Sequence, residues 1–258
     1  MRICDIVTTH GNNRTKNMRT KTLLIAAAAM AVGVATSMAQ TTYSQNIVGY
    51  ANLPTTGVGQ NYLLACQFTC GVSNGVNEVF STPLPDFSVV LIWDVPSQSY
   101  ITVQSDSTSP TGWDDGNYVP LTTLPKLPVG QGFFLSPSSP VTNTFAGAIA
   151  VNVGTSNKMT LTGVGQNYLV ASVVPYGGSV TNGNNSGGGM NLNGVPDFTV
   201  VLIWDVPSQS YNTVQTDSSS ASGWDDGNYV PLAAPPSINV GQAFFLSPSG
   251  PFTWTTGL

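Results

Sequence analysis

The feature that most constrains this chain is that it is written twice. Pro85 to Pro140 aligns without gaps on Pro196 to Pro251 at an offset of 111, with 42 identities in 56 positions. Upstream, Gly57-Val-Gly-Gln-Asn-Tyr-Leu63 returns as Gly163-Val-Gly-Gln-Asn-Tyr-Leu169, now at an offset of 106. The five-residue difference falls in the intervening loop, which is Gly/Asn-rich over Pro175 to Val195. Loops absorb such growth because closure entropy rises only slowly with length. A weaker echo links Ile47 to Leu53 with Phe145 to Val151, and Val141 to Ala146 with Phe252 to Gly257. A strand-like segment therefore precedes, separates and follows the copies. The middle one is expected to be shared, joining the copies without a flexible linker.

Within a copy the periodicity is that of strands. Phe87 to Trp93 is a seven-residue apolar run rich in Val and Ile, as expected of a strand buried on both faces. Asp94 to Ser99 supplies turn residues, and Tyr100 to Gln104 alternates as the returning arm of a hairpin. Trp113-Asp-Asp-Gly-Asn-Tyr118 carries Asp-Gly, a tight-turn pair whose residues accept positive φ. Pro128 to Leu135 is a turn entering another apolar strand, and only Val76 to Phe80 has room for a helical turn. The expected fold is all-β: two tandem homologous modules of about five strands each, residues 40–147 and 148–258, packed without a flexible linker.

Residues 1–39 read as a secretory leader. A basic stretch ending at Lys21 precedes the apolar run Leu23 to Ala35, and small residues at Ser37 and Ala39 fit a cut before Gln40. The run is shorter than the ~20 residues a membrane span needs. Met18 opens a leader of more usual length, which makes residues 1–17 an over-extended start. The mature protein is expected to be exported to the periplasm, cell surface or medium, with no transmembrane segment.

Charge then excludes whole classes of function. Beyond residue 39 the chain has eleven acidic and two basic residues (Lys126 and Lys158), a net charge of −9, and no histidine. A nucleic-acid partner is excluded, because displacing counterions from phosphates takes Lys and Arg. Without histidine the Ser/His/Asp and Cys/His constellations and the usual zinc sites are missing. No catalytic residue or metal ligand is assigned. Gly71-Val-Ser73-Asn-Gly75 spells a nucleophile elbow by chance. Carboxylate pairs are the remaining catalytic option: Asp94 could converge with Asp106 or Asp115 as in a glycosidase, whereas adjacent Asp114 and Asp115 point to opposite faces of a strand. Two intact copies containing Glu78 as their one glutamate argue against it.

The best candidate sites are Trp113, Asp114, Asp115, Asn117 and Tyr118, with their twins Trp224, Asp225, Asp226, Asn228 and Tyr229. Their oxygens suit calcium, although the EF-hand spacing is absent, and an exposed aromatic ring beside them would stack on a sugar. The competing reading makes the tryptophans core and lets the acids shape and solvate a turn. Trp93 and Trp204, with Tyr100 and Tyr211 across the hairpin, read as core. Cys66 and Cys70 are candidates for a disulfide that requires a turn between them, since on a straight strand they would stand ~13 Å apart. The second copy has Ser172 and Tyr176 there. No cofactor is required.

The order G-x-N-Y-L, then V-L-I-W-D, then G-W-D, then Val129-Gly-Gln-Gly-Phe-Phe134 resembles the repeated module of uncharacterised exported β-rich proteins common in Verrucomicrobia and related bacteria. The resemblance covers residues 43–258. It departs from the family pattern in Val129 before the glycine and in Ala243, which replaces the second glycine of copy two. It implies a secreted β-rich architecture and no catalytic residue. The expected role is a non-enzymatic structural or adhesive protein of the cell surface or extracellular matrix, with self-association through exposed strand edges. The alternative is a carbohydrate-binding module taking glycans at the two W-D-D-G-N-Y loops.

Overall fold

The computed structural model describes residues 48–150, 156–184 and 187–257; the expected leader lies outside them. In the first copy the elements are β1 (Val48–Thr55), β2 (Tyr62–Ala65), β3 (Phe68–Thr69), α1 (Val76–Val79), β4 (Val89–Asp94), β5 (Ser99–Ser105), β6 (Trp113–Asp115), β7 (Gly132–Ser136) and β8 (Val141–Ile149). The second copy has β9 (Ser156–Leu161), β10 (Tyr168–Val170), β11 (Gly178–Ser179), β12 (Gly183–Asn184), β13 (Gly187–Gly189), β14 (Val200–Asp205), β15 (Ser210–Thr216), β16 (Trp224–Asp226), β17 (Ser237–Ile238), β18 (Phe244–Ser247) and β19 (Phe252–Gly257). The fold is all-β and antiparallel, as the periodicity predicts. No helix among the described residues is long and apolar enough to cross a membrane.

Each copy is built on a five-stranded sheet, ordered β2-β7-β4-β5-β6 in the first and β10-β18-β14-β15-β16 in the second. The predicted hairpin is β4–β5, in register from Val89↔Gln104 to Asp94↔Ser99, and β14–β15 repeats it. An outer sheet covers one face of each: β1-β8-β3 in copy one, β12-β13-β19-β9 in copy two. The expected shared strand is thus two strands. β8 pairs with β1 and β3, whereas β9 pairs with β19.

Alternation along the strands decides where the cores lie. In β7, Phe133 points into the first copy's own core with Val90, Ile92, Trp113 and Phe145. Its neighbour Phe134 points the other way, into a cluster formed with Leu63, Ala65, Leu169, Ala171, Ala243 and Phe245. That cluster joins the two copies, with Leu91, Trp93, Leu202, Trp204 and Tyr211 packed around it. Both faces of the central sheets are therefore covered, which explains the unbroken apolar run of β4. Fully burying a Leu or Phe side chain stabilises by about 1.5–3 kcal/mol, so neither copy can leave this face in water cheaply.

The contact between copies is reciprocal. The Trp93 indole N–H donates to the Asn167 carbonyl at 2.8 Å, and that of Trp204 donates to the Asn61 carbonyl at 2.7 Å. Asn167 N–H donates to Gln98 Oε1, and Asn61 N–H to Gln209 Oε1. Trp93 meets Phe245 edge-on at 5.2 Å, and Phe134 meets Trp204 at 5.2 Å. Ala65 N–H donates to the Gly241 carbonyl and Ala171 N–H to that of Gly130, both at 2.8 Å, so the free edges of β2 and β10 are closed by the opposite copy. These are the paired contacts of a twofold interface between identical protomers, here made within one chain.

The replacement of the second glycine of V-G-Q-G-F-F by Ala243 in copy two has a steric cause at this junction. A Cβ added to Gly132 would lie 2.6 Å from the Ala243 Cβ and 2.8 Å from Leu169 Cγ. The two equivalent positions face each other with room for one methyl group, so one copy keeps glycine and the other carries alanine. Gly132→Ala is expected to destabilise the fold by about 1–3 kcal/mol through overpacking. The exchange variant G132A/A243G should recover most of that loss in denaturant unfolding, and a double variant no more stable than G132A would refute the steric account.

Candidate functional site

The W-D-D-G-N-Y segments place their side chains in three different environments. Trp113 pairs with Ser105 across β5–β6 and points into the core at 5% exposure, and Trp224 does so at 2%. Phe80 packs on Trp113 at 5.9 Å. An indole in the core cannot stack on a sugar ring, so both tryptophans drop out as ligand contacts. Asp115 caps the turn: its Oδ1 accepts the N–H groups of Asn117 at 2.7 Å and Val119 at 3.0 Å. Those bonds, the Val119 amide first, hold its carboxyl below the usual range. Asp226 repeats this at 2.8 and 3.0 Å.

The Asp-Gly pair is not where the backbone turns left-handed. That falls on Tyr118 (φ +62°) and Tyr229 (φ +62°), with the exposed Asn117 and Asn228 just before them. Phe87 (φ +67°) and Phe198 (φ +63°), assigned to strands by the apolar run, also lie outside β4 and β14 in this conformation. For bulky aromatic residues these are outliers, which concentrate at functional sites. Tyr118 is 66% and Phe87 56% exposed, with rings 6.4 Å apart; Tyr229 and Phe198 are exposed to a similar extent. The exposed aromatic surface of each loop is therefore Tyr and Phe, and the sequence motif missed the Phe.

Acidic side chains come in matched sets, because the ten aspartates beyond residue 39 form five pairs at the offset of 111. Asp94 and Asp205 accept bonds from Ser97 and Ser208 in their own turns, and Asp86 and Asp197 do the same with Ser107 and Ser218. Glu78 draws together the loop before α1, taking the N–H groups of Val72, Ser73 and Gly75. The Ser73 hydroxyl also donates to Glu78, so the G-x-S-x-G spelling is a capped loop. Asp94 and Asp106 stand at opposite ends of the seven-residue β5 and do not converge.

Asp106 instead meets Asp114. Asp114 lies opposite Gln104 in the β5–β6 register, on the face away from Trp113, which makes Asp106 its diagonal neighbour. Asp106 accepts bonds from the Thr108 amide at 2.8 Å and hydroxyl at 2.7 Å, which hold it below the usual carboxylate range. Asp114 is 2% exposed, and burial, followed by the adjacent Asp106, raises its pKa. In copy two Asp225 lies opposite Gln215 in the same register, and the Ser219 hydroxyl and amide hold Asp217 below the usual range. A cleft of about 310 Å³, lined by Phe80, Asp86, Asp106, Ser107 and Trp113, opens beside the first pair. Among the described residues no three His, Cys, Asp or Glu side chains cluster as metal ligands.

Cys66 and Cys70 flank the point where the chain leaves β2 of the central sheet for β3 of the outer sheet, with free sulfurs 2.9 Å apart. This contact pushes the Cys66 thiol up and that of Cys70 down. In copy two the Ser172 hydroxyl accepts the Val174 N–H instead. A further cleft, of about 350 Å³, lies between the copies against Leu53, Tyr62, Trp204, Val206 and Val240. Comparison with protein families, with curated proteins and with solved structures finds no match to this chain.

The Asp106–Asp114 pair makes stability pH-dependent in two directions. The raised Asp114 contributes stability below its unfolded pKa that is lost as pH rises through its folded value. The lowered Asp106 contributes stability above its unfolded pKa that is lost as pH falls through its folded value. With chelator present, Asp114→Asn should remove the loss on the neutral side. Its melting temperature should fall less from pH 4 to pH 7 than that of the parent, by thermal unfolding at both pH values; parallel profiles would contradict the assignment.

Proposed function

We propose that this chain is an exported, non-catalytic structural or adhesive β-protein of the cell surface or extracellular matrix. The observation that carries this reading is how the acids are used. Asp94, Asp115, Glu78, Asp205 and Asp226 accept hydrogen bonds within their own loops, and Asp86 and Asp197 tie the segment before each hairpin to the loop after it through Ser107 and Ser218, which builds rigid turns on a duplicated scaffold. The leader supports export, and the acidic composition without histidine beyond residue 39 supports a non-catalytic role. Fractionation of the producing cells should place the chain outside the inner membrane with its N-terminus at Gln40. Turnover of a defined substrate abolished by one aspartate substitution would overturn the reading.

A second reading, glycan binding, is favoured by one observation: both copies present an exposed Phe and Tyr in left-handed conformation, Phe87 with Tyr118 and Phe198 with Tyr229. The acidic surface favours neutral over anionic sugars. On a glycan array the parent should bind neutral oligosaccharides and the fourfold alanine variant at these positions should not, with its melting temperature within a few degrees of the parent. Equal array signals from the two proteins would exclude this surface.

A further inference from the structure

The calcium ligands expected in the turn itself are occupied, since Asp115 and Asp226 spend their carboxylates on backbone N–H groups. One residue earlier the situation differs. Asp114 is 2% exposed, and its Oδ1 has no hydrogen-bond partner although it is buried. Its diagonal neighbour Asp106 is a second carboxylate, and the Ser109 hydroxyl also lies against it. Gln104 faces Asp114 in register and is 7% exposed. Every group in the set offers oxygen, and the two carboxylates carry two negative charges. Beyond the leader the chain has only Lys126 and Lys158 as fixed cations.

The second copy reproduces the set with Asp217, Asp225, Ser220 and Gln215. Here Ser220 donates to Asp225 Oδ1, and the unpaired atom is Nε2 of the buried Gln215, opposite Asp225 in register. A half-turn of that carboxamide presents its oxygen in the same place and costs no hydrogen bond, because Nε2 makes none. A buried acceptor without a donor costs about 1–3 kcal/mol, more when charged. The first copy keeps this cost at Asp114 in an all-oxygen setting, and the second repeats the same residues at the same register positions.

We infer that each copy binds one calcium-type divalent cation between the paired aspartates, Asp106 and Asp114 in the first and Asp217 and Asp225 in the second. The glutamine and serine of each set supply neutral oxygens, and water completes the six to eight ligands calcium takes. A hard cation is selected because no sulfur or imidazole is present. A cleft of about 310 Å³ reaches Asp106 in the first copy. The role is structural: the ion ties the loop after β5 to β6, and likewise the loop after β15 to β16.

The test uses the purified full chain freed of metal with chelator. Terbium is the first probe, because Trp113 and Trp224 immediately precede Asp114 and Asp225 and can sensitise its emission. The parent should bind two terbium ions that calcium displaces, Asp114→Asn and Asp225→Asn one each, and the double variant none. Saturating calcium should raise the melting temperature of the parent by roughly 5–10 °C over the chelated form and leave that of the double variant unchanged. Asp94→Asn, a turn acid outside the set, should bind as the parent does, and circular dichroism confirms that each variant is folded. Absence of sensitised emission, or two ions retained by the folded double variant, overturns the inference. So does a parent insensitive to calcium, which would mean that a shared proton alone balances each pair.

Discussion

Everything in this molecule depends on the mutual burial of two faces that are copies of each other. The central sheets are apolar on both sides, so each covers one side with its own outer sheet and needs its twin for the other. Leu63, Ala65, Leu91, Trp93, Tyr100 and Phe134 meet Leu169, Ala171, Leu202, Trp204, Tyr211 and Phe245, and each residue of one set is identical to its counterpart in the other. Tyr100 and Tyr211 lie near each other across the junction, where burial raises both phenols. Such an interface resists change because a substitution in one copy meets an unchanged partner. Gly132 and Ala243 are the exception that fits, since two methyl groups would collide there.

The outer layers are free of that constraint and have diverged. In copy one, Thr55 and Asn143 are buried and hydrogen-bonded to each other, and α1 with Phe80 fills the space above the sheet. The matching positions in copy two are Leu161 and Trp254, which is 1% exposed and donates its indole N–H to the Met190 carbonyl. The glycine-rich insertion takes the place of α1. Phe145 in copy one corresponds to Thr256 in copy two, so a large side chain has moved from one strand position to another while the volume stays filled. Core packing requires total volume and low strain more than particular residues.

Much of the fold was legible because alternation and repetition are local signals. The β4–β5 hairpin, the turn into β7, the helical turn and the packing of Trp93 on Tyr100 across the hairpin all follow from spacing, although Trp93 is half-buried and Tyr100 exposed rather than core. The candidate site was less legible. Trp113 sits in a motif that reads equally well as a sugar platform or as a strand end, and which face of β6 meets the core is set by its register with β5. Phe87 ends an apolar run, yet it leaves the strand in left-handed conformation because its N–H is tied to the Ser105 carbonyl. The pairing of Asp106 with Asp114 joins residues eight apart across a strand register, which composition and motif searches do not see.

The sequence by itself determined the all-β class, the duplication, the acidic character and lack of histidine beyond residue 39, and the position of the turns, since each depends on residue identity or on neighbours in the chain. Only the tertiary structure decided that the copies face each other about an approximate twofold, that both motif tryptophans are core and that aspartates on facing strands share a pocket. Those outcomes are set by strand register and by sheet-on-sheet packing, which depend on contacts between residues far apart in sequence.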